Sequence, residues 1–275
     1  MTAGACWRQL SGSSGHLVPS VNFEAVRGTA GFADLAAAAG GLEQFELIET
    51  IPRKFARGCD YLRVSEPDRY LGPWLAELTE MAAPERPVRA VLGYCAGAAL
   101  ARALADAATK YGLGEPILLL FDPLRVNGTT LSREFAEALD TVRPQLTPGE
   151  IEGARNSAAR WEERCADAGG RALAPMAEAL DEVYQGLVTA ACGRLRVAPA
   201  LERQLCDRFA SYFAYLVASS RCEETAAGPV AEVVWSNTRE AVPHAGDRAV
   251  RFDVPEPQLL ADAAVAEFVS QTLRR

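Results

Sequence analysis

The run Gly93-Tyr94-Cys95-Ala96-Gly97 concentrates the chemistry of this sequence. A thiol at the tip of a sharp strand-to-helix turn needs small residues two positions before and after it, because the entering strand and the leaving helix pass close together. The tip side chain then projects from the carboxyl end of a sheet. The amide of Ala96 points at an oxyanion developing beside it. The N-terminus of the following helix adds partial positive charge and favours the thiolate. Five residues of this pattern carry little by themselves; their flanks carry more. Val88 to Leu92 reads as a short buried strand, and Ala98 to Lys110 is a strong helix former. The competing reading is a structural cysteine buried in a tight turn.

The elements around this turn alternate. His16 to Phe23 and Phe45 to Ile51 read as strands. Gly31 to Gly41 reads as an Ala-rich helix stopped by two glycines. Leu71, Trp74, Leu75, Leu78 and Met81 recur at helical spacing, which predicts an amphipathic helix over 67–83. Ile117 to Phe121 is a fully apolar strand ending at Asp122-Pro123. Strands that are apolar on both faces and alternate with helices imply an α/β fold, with a mostly parallel central sheet and helices on both faces. From Ser132 to about Cys222 the strand signal vanishes and four helical runs follow, which reads as a helical lid insertion. Strands return at Val230 to Trp235 and Ala249 to Val254, and Leu259 to Leu273 closes the chain as a helix. The expectation is one domain over 1–275 with a lid subdomain at about 132–222.

Bulk properties exclude several classes of function. The chain has 275 residues and a formal net charge of -8, which argues against nucleic acid or an anionic membrane as partner. Seven cysteines, odd in number and without CxxC spacing, read as reduced thiols of a cytoplasmic protein. Only His16 and His244 exist, neither with a cysteine at ligand spacing, so no metal and no cofactor are expected. The first residues have no secretory pattern.

The stretch VLGYCAGAALARALAD resembles the nucleophile turn and following helix of α/β-hydrolase-fold thioesterases that serve polyketide synthases and nonribosomal peptide synthetases. LVPSVNFEAVRGTAGFADLA resembles that family's first motif, and the match implies a second oxyanion amide near Ser20 or Val21. ILLLFDPLRV resembles the strand whose terminal Asp completes the catalytic triad, which puts Asp122 in that role. LLADAAVAEFV resembles the closing helix. The resemblance implies an acyl or peptidyl carrier protein as partner, presenting a phosphopantetheine-linked substrate. Arg53, Lys54, Arg57 and Arg63 form a basic island that could meet such a partner or the phosphate of its phosphopantetheine arm; a solvated face is the plainer reading.

The family's base is missing. Counting back from Leu259-Leu260, its histidine position holds Glu256, and no histidine follows residue 244. Three alternatives stand. His244 could reach Cys95 from the loop after Val230 to Trp235, or be an exposed loop residue. Cys95 could work without a histidine, with Glu256 or Asp122 accepting a proton from an incoming amine or hydroxyl. Or acyl transfer is lost, and the cleft binds a chain or runs a cyclisation or elimination. Asp122 also reads as a turn former, and Glu256, between two prolines, as a solvated turn residue. The absent histidine favours cyclisation or transfer over hydrolysis, since water activation most needs a positioned base.

Overall fold

The computed structural model describes residues 6–12, 15–23, 29–39, 44–168, 172–225, 229–239 and 246–275. In chain order these form β1 (Trp7–Ser11), β2 (His16–Val21), α1 (Phe32–Ala38), β3 (Phe45–Thr50), α2 (Tyr61–Val64), α3 (Pro67–Met81), β4 (Ala90–Tyr94), α4 (Gly97–Lys110) and β5 (Ile117–Phe121). There follow α5 (Gly128–Val142), α6 (Pro148–Ala168), α7 (Leu173–Leu195), α8 (Pro199–Thr225), β6 (Ala231–Trp235), β7 (Arg248–Arg251) and α9 (Ala263–Leu273). The chain divides into two compact units, 1–52 with 71–124 and 222–275, and 53–70 with 125–221.

The first unit holds a seven-stranded sheet in the order β1-β3-β2-β4-β5-β6-β7. Only β1, on the edge, runs antiparallel to its neighbour β3; the other pairings are parallel. Period-two alternation sends Val18, Leu47, Leu92, Phe121 and Val234 to one face, where they pack with Phe32 and Leu35 of α1 and with Val265 and Val269 of α9. Leu17, Ile48, Val91, Leu118 and Val233 point the other way and are equally buried. Gly93 shares that second face and approaches Ala98 and Ala101 of α4. Two covered faces explain why the central strands read as unbroken apolar runs.

Strand β1 has no counterpart in the sequence reading. Its burial does not alternate, since only Trp7 is buried. It is held by the ladder to β3, by an Arg8–Glu49 ion pair, and by the Trp7 indole N–H donating to the Trp74 carbonyl at 3.1 Å. The closing helix starts later than expected, because Glu256–Ala261 is a 3-10 turn and the Asp262 side chain caps α9.

The second unit is helical. Segment 53–70 belongs to it: the Phe55 amide donates to Ser211 Oγ at 2.8 Å, and the Gly58 amide to the buried Asp181 carboxylate at 3.0 Å. The aromatic residues of α8 serve packing here. Phe209 stacks on Phe213 and Tyr184 with ring centroids 4.1 and 4.2 Å apart. No helix among the described residues is long and apolar enough to cross a membrane.

Candidate functional site

Cys95 sits between the end of β4 and the start of α4, at φ 52°. A non-glycine residue in the left-handed region is strained by about 1–2 kcal/mol, and something must hold it there. Here the hold comes from both sides of the turn. The Cys95 amide donates to the Phe121 carbonyl at 3.0 Å, and the Cys95 carbonyl accepts from Ala98 and Leu124, each at 3.1 Å. The side chain is half-buried, and none of the seven cysteines is in a disulfide. Ala96 is the residue just before α4, so its amide lies at that helix's N-terminal end.

Asp122, at the end of β5, is the second positive-φ residue of this region, at 41°. It is fully buried. Its Oδ1 accepts the Ser236 amide at 2.8 Å, and its Oδ2 has no hydrogen-bond partner among the described residues. Burial pushes its pKa up; the Ser236 hydroxyl and then its amide pull it back in part, and the Glu256 carboxylate adds to the rise. The same surroundings raise the Tyr94 phenol, through burial first and then the charges of Glu256, Cys95 and Asp122.

Glu256 opens the 3-10 turn after β7, and its amide donates to Thr238 Oγ1 at 3.1 Å. Its carboxylate meets Arg239 in a two-pronged pair, Nε to Oε2 at 3.0 Å and Nη2 to Oε1 at 2.5 Å. The same Nη2 donates to Cys95 Sγ at 3.7 Å. Burial by itself would lower the Arg239 pKa. The hydrogen bond to Glu256, with the Cys95, Glu256 and Asp122 charges, more than offsets that, and the guanidinium stays protonated.

The structure thus brings Cys95, Asp122 and Glu256 to one end of the parallel sheet, with Arg239 among them. Val21 pairs with Gly93 in the ladder, which puts the end of β2 beside the strand that carries Cys95. The Ser20 hydroxyl is committed to the Ile48 carbonyl at 2.9 Å, so only the backbone of this segment is available for chemistry. His244 lies outside the described residues. Of the basic island, Arg53 lies over the Phe55 and Tyr70 rings, and Arg57 pairs with Glu202 within the helical unit. Lys54 and Arg63 are exposed.

No protein-family model matches the chain, and neither does any curated protein sequence. Solved structures match in shape. A four-domain nonribosomal peptide synthetase bound to AMP and glycine gives a TM-score of 0.50 at 11% identity over 98% of this chain, which spans 20% of that protein. The fold is the α/β-hydrolase fold. The type II thioesterase YbtT of the yersiniabactin pathway gives 0.48 at 14% identity, over 98% of this chain and 97% of that one. The thioesterase domain SrfTE, which cyclises surfactin, gives 0.46 at 14% identity, over 94% and 92%.

Arg239 is the residue the sequence reading missed. A usable signal existed: it lies four residues past β6, at the carboxyl end of a parallel strand, where open α/β sheets gather their site residues.

Proposed function

We propose that the chain is a thioesterase-like, acyl-processing enzyme of natural-product biosynthesis. It takes an acyl group from a carrier-protein thioester onto Cys95 and releases it by cyclisation, transfer or hydrolysis. The observation that carries this reading is the Cys95 turn. A thiol held at φ 52° between a parallel strand and a helix serves no packing need that an ordinary residue could not meet with less strain.

In this reading the Ala96 amide and the backbone of the Ser20–Val21 segment hold the carbonyl oxygen of the thioester as it becomes an oxyanion. Of the two carboxyl groups, Glu256 is the better placed to accept the proton of the incoming nucleophile, because burial raises the Asp122 pKa. The inserted helices act as the lid, and exposed cations of 53–63 meet the carrier. The acceptor is an amine or hydroxyl of the chain itself or of a second molecule more readily than water, because the position where the resemblance expects a water-activating histidine holds Glu256.

Intact-mass measurement after incubation with an acyl-pantetheine or acyl-carrier thioester tests this. The expected result is a single acyl adduct that is absent from Cys95→Ala. If the parent forms no adduct while Cys95 still reacts with iodoacetamide, the enzyme reading is wrong and a binding protein built on this fold takes its place.

A further inference from the structure

Arg239 occupies the place in the site where a proton-accepting base would be useful, yet a guanidinium cannot serve as one. It stays charged at any physiological pH and has protons only to donate. What it can do is stabilise an anion. Its Nη2 lies 3.7 Å from Cys95 Sγ, a hydrogen-bonding distance for sulfur, and the Nε and Nη2 edge is clamped by both oxygens of Glu256 at 3.0 and 2.5 Å. Arg239 is largely buried, with its side chain 21% exposed, so the charge acts through a medium that screens it less than water does.

We propose that Arg239, positioned by Glu256, holds Cys95 as a thiolate, so that acyl transfer onto Cys95 proceeds without a general base. The reaction step rests on the acyl-enzyme reading above; the thiolate itself does not. The step balances without moving a proton. The Cys95 thiolate attacks the thioester carbonyl carbon and forms a new carbon–sulfur bond, giving a tetrahedral oxyanion. The oxyanion collapses, breaks the carbon–sulfur bond to pantetheine and releases pantetheine as a thiolate, which takes its proton from solvent. One thiolate enters and one leaves. This also accounts for cysteine at the tip. A neighbouring cation can bring a thiol to its anion near neutral pH, whereas a serine hydroxyl needs a base to take its proton.

Charged and titratable groups reach the region of the sulfur from four elements. They are Tyr94 on the strand before it, Asp122 after β5, Arg239 after β6 and Glu256 after β7. Both carboxyl groups oppose a thiolate. Glu256 is neutralised by its pairing with Arg239, and burial favours the protonated form of Asp122. Of the four named groups the Arg239 guanidinium is the cation, and it is in hydrogen-bonding contact with the sulfur.

The test is the rate of iodoacetamide alkylation at Cys95 from pH 5 to 10, followed by peptide mapping so that the other six cysteines do not contribute. In the parent, the rate should titrate with an apparent pKa at least one unit below the ordinary thiol value of about 8.5. Arg239→Gln should move that midpoint up by one unit or more, cutting the rate at pH 6.5 by roughly tenfold. Arg239→Lys should recover part of the loss, since it keeps the charge without the clamp. A parent midpoint at or above about 8.5 overturns the proposal whatever the variants do. So does an Arg239→Gln profile that superimposes on the parent's, with circular dichroism showing both folded. Alkylation involves no acyl transfer, so a depressed midpoint that depends on Arg239, found without any acyl adduct, would sink the enzyme reading and leave this inference standing.

Discussion

Replacing Gly93 with alanine should be among the most damaging small changes available to this protein. The demand on Gly93 is steric, since its backbone is not in the left-handed region; the positive φ falls two residues later, on Cys95. A Cβ at residue 93 would lie 2.6 Å from the Ala101 Cβ, 2.8 Å from the Ala98 Cα and 3.0 Å from the Gly97 carbonyl oxygen. Carbon atoms in contact prefer about 3.5–4.0 Å, so β4 and α4 would have to separate by close to 1 Å. Two of the three obstacles are backbone, and the third is a methyl group with no rotamer to escape into. Overpacking of this kind costs about 1–3 kcal/mol, and the absence of any flexible neighbour puts Gly93→Ala at about 3 kcal/mol. For a chain of this size that lowers the melting temperature by roughly 5 °C. Gly186, inside α7, is the control: a Cβ there meets nothing within 4 Å. Gly186→Ala should raise stability by about 0.5–1 kcal/mol. Thermal and urea unfolding of both variants, with peptide-resolved labelling of Cys95, gives the readout. Gly93→Ala with stability within about 0.5 kcal/mol of the parent and undiminished labelling would refute the close approach of strand and helix on which the site depends.

Two further expectations concern stability. Burial raises the Asp122 pKa above that of an unfolded carboxyl, so its favourable contribution is complete in acid and is lost as pH rises through the raised value. Asp122→Asn keeps an oxygen for the Ser236 amide, so its urea midpoint should gain on the parent's between pH 4 and 8; a variant that loses ground toward neutral pH would show the sign to be wrong. The Arg102–Asp247 pair, at 2.5 Å with side chains 11% and 2% exposed, is the other case. Asp247→Ala removes the counter-charge of a largely buried guanidinium, leaving it a hydrogen bond to the Pro229 carbonyl at 2.8 Å, and deprives the Ala231 amide of its acceptor. It should cost about 3–5 kcal/mol, and a loss below about 1 kcal/mol in equilibrium unfolding would mean that the pair is solvated.

Much of the core was legible along the chain. Strands β4 and β5 are buried on both faces, and their apolar runs say so without reference to any neighbour. Helix α4 follows from a stretch of good helix formers, and the turn between it and β4 follows from small residues flanking a cysteine. Strand β1 was not legible, because an edge strand held by one ladder and one buried tryptophan has no alternation to display. The membership of 53–70 in the helical unit was equally hidden. It rests on contacts such as Phe55 with Ser211, 156 residues apart.

The site divides along the same line. The sequence by itself indicated that Cys95 would stand at a tight turn with a helix behind it, because the small residues that permit such a turn lie within a few positions of the thiol. The bonds to Phe121 and Leu124 that hold it at positive φ come from the neighbouring strand and the loop after it. By resemblance the sequence also placed Glu256 where a histidine was expected. Only the tertiary structure decided what lies beside the sulfur. Arg239 is 144 residues from Cys95, and it reaches the thiol because the order β4-β5-β6-β7 brings the carboxyl ends of four strands to one edge. Electrostatic partners are chosen by distance in space, and strand order is a property of the whole sheet that no local pattern encodes.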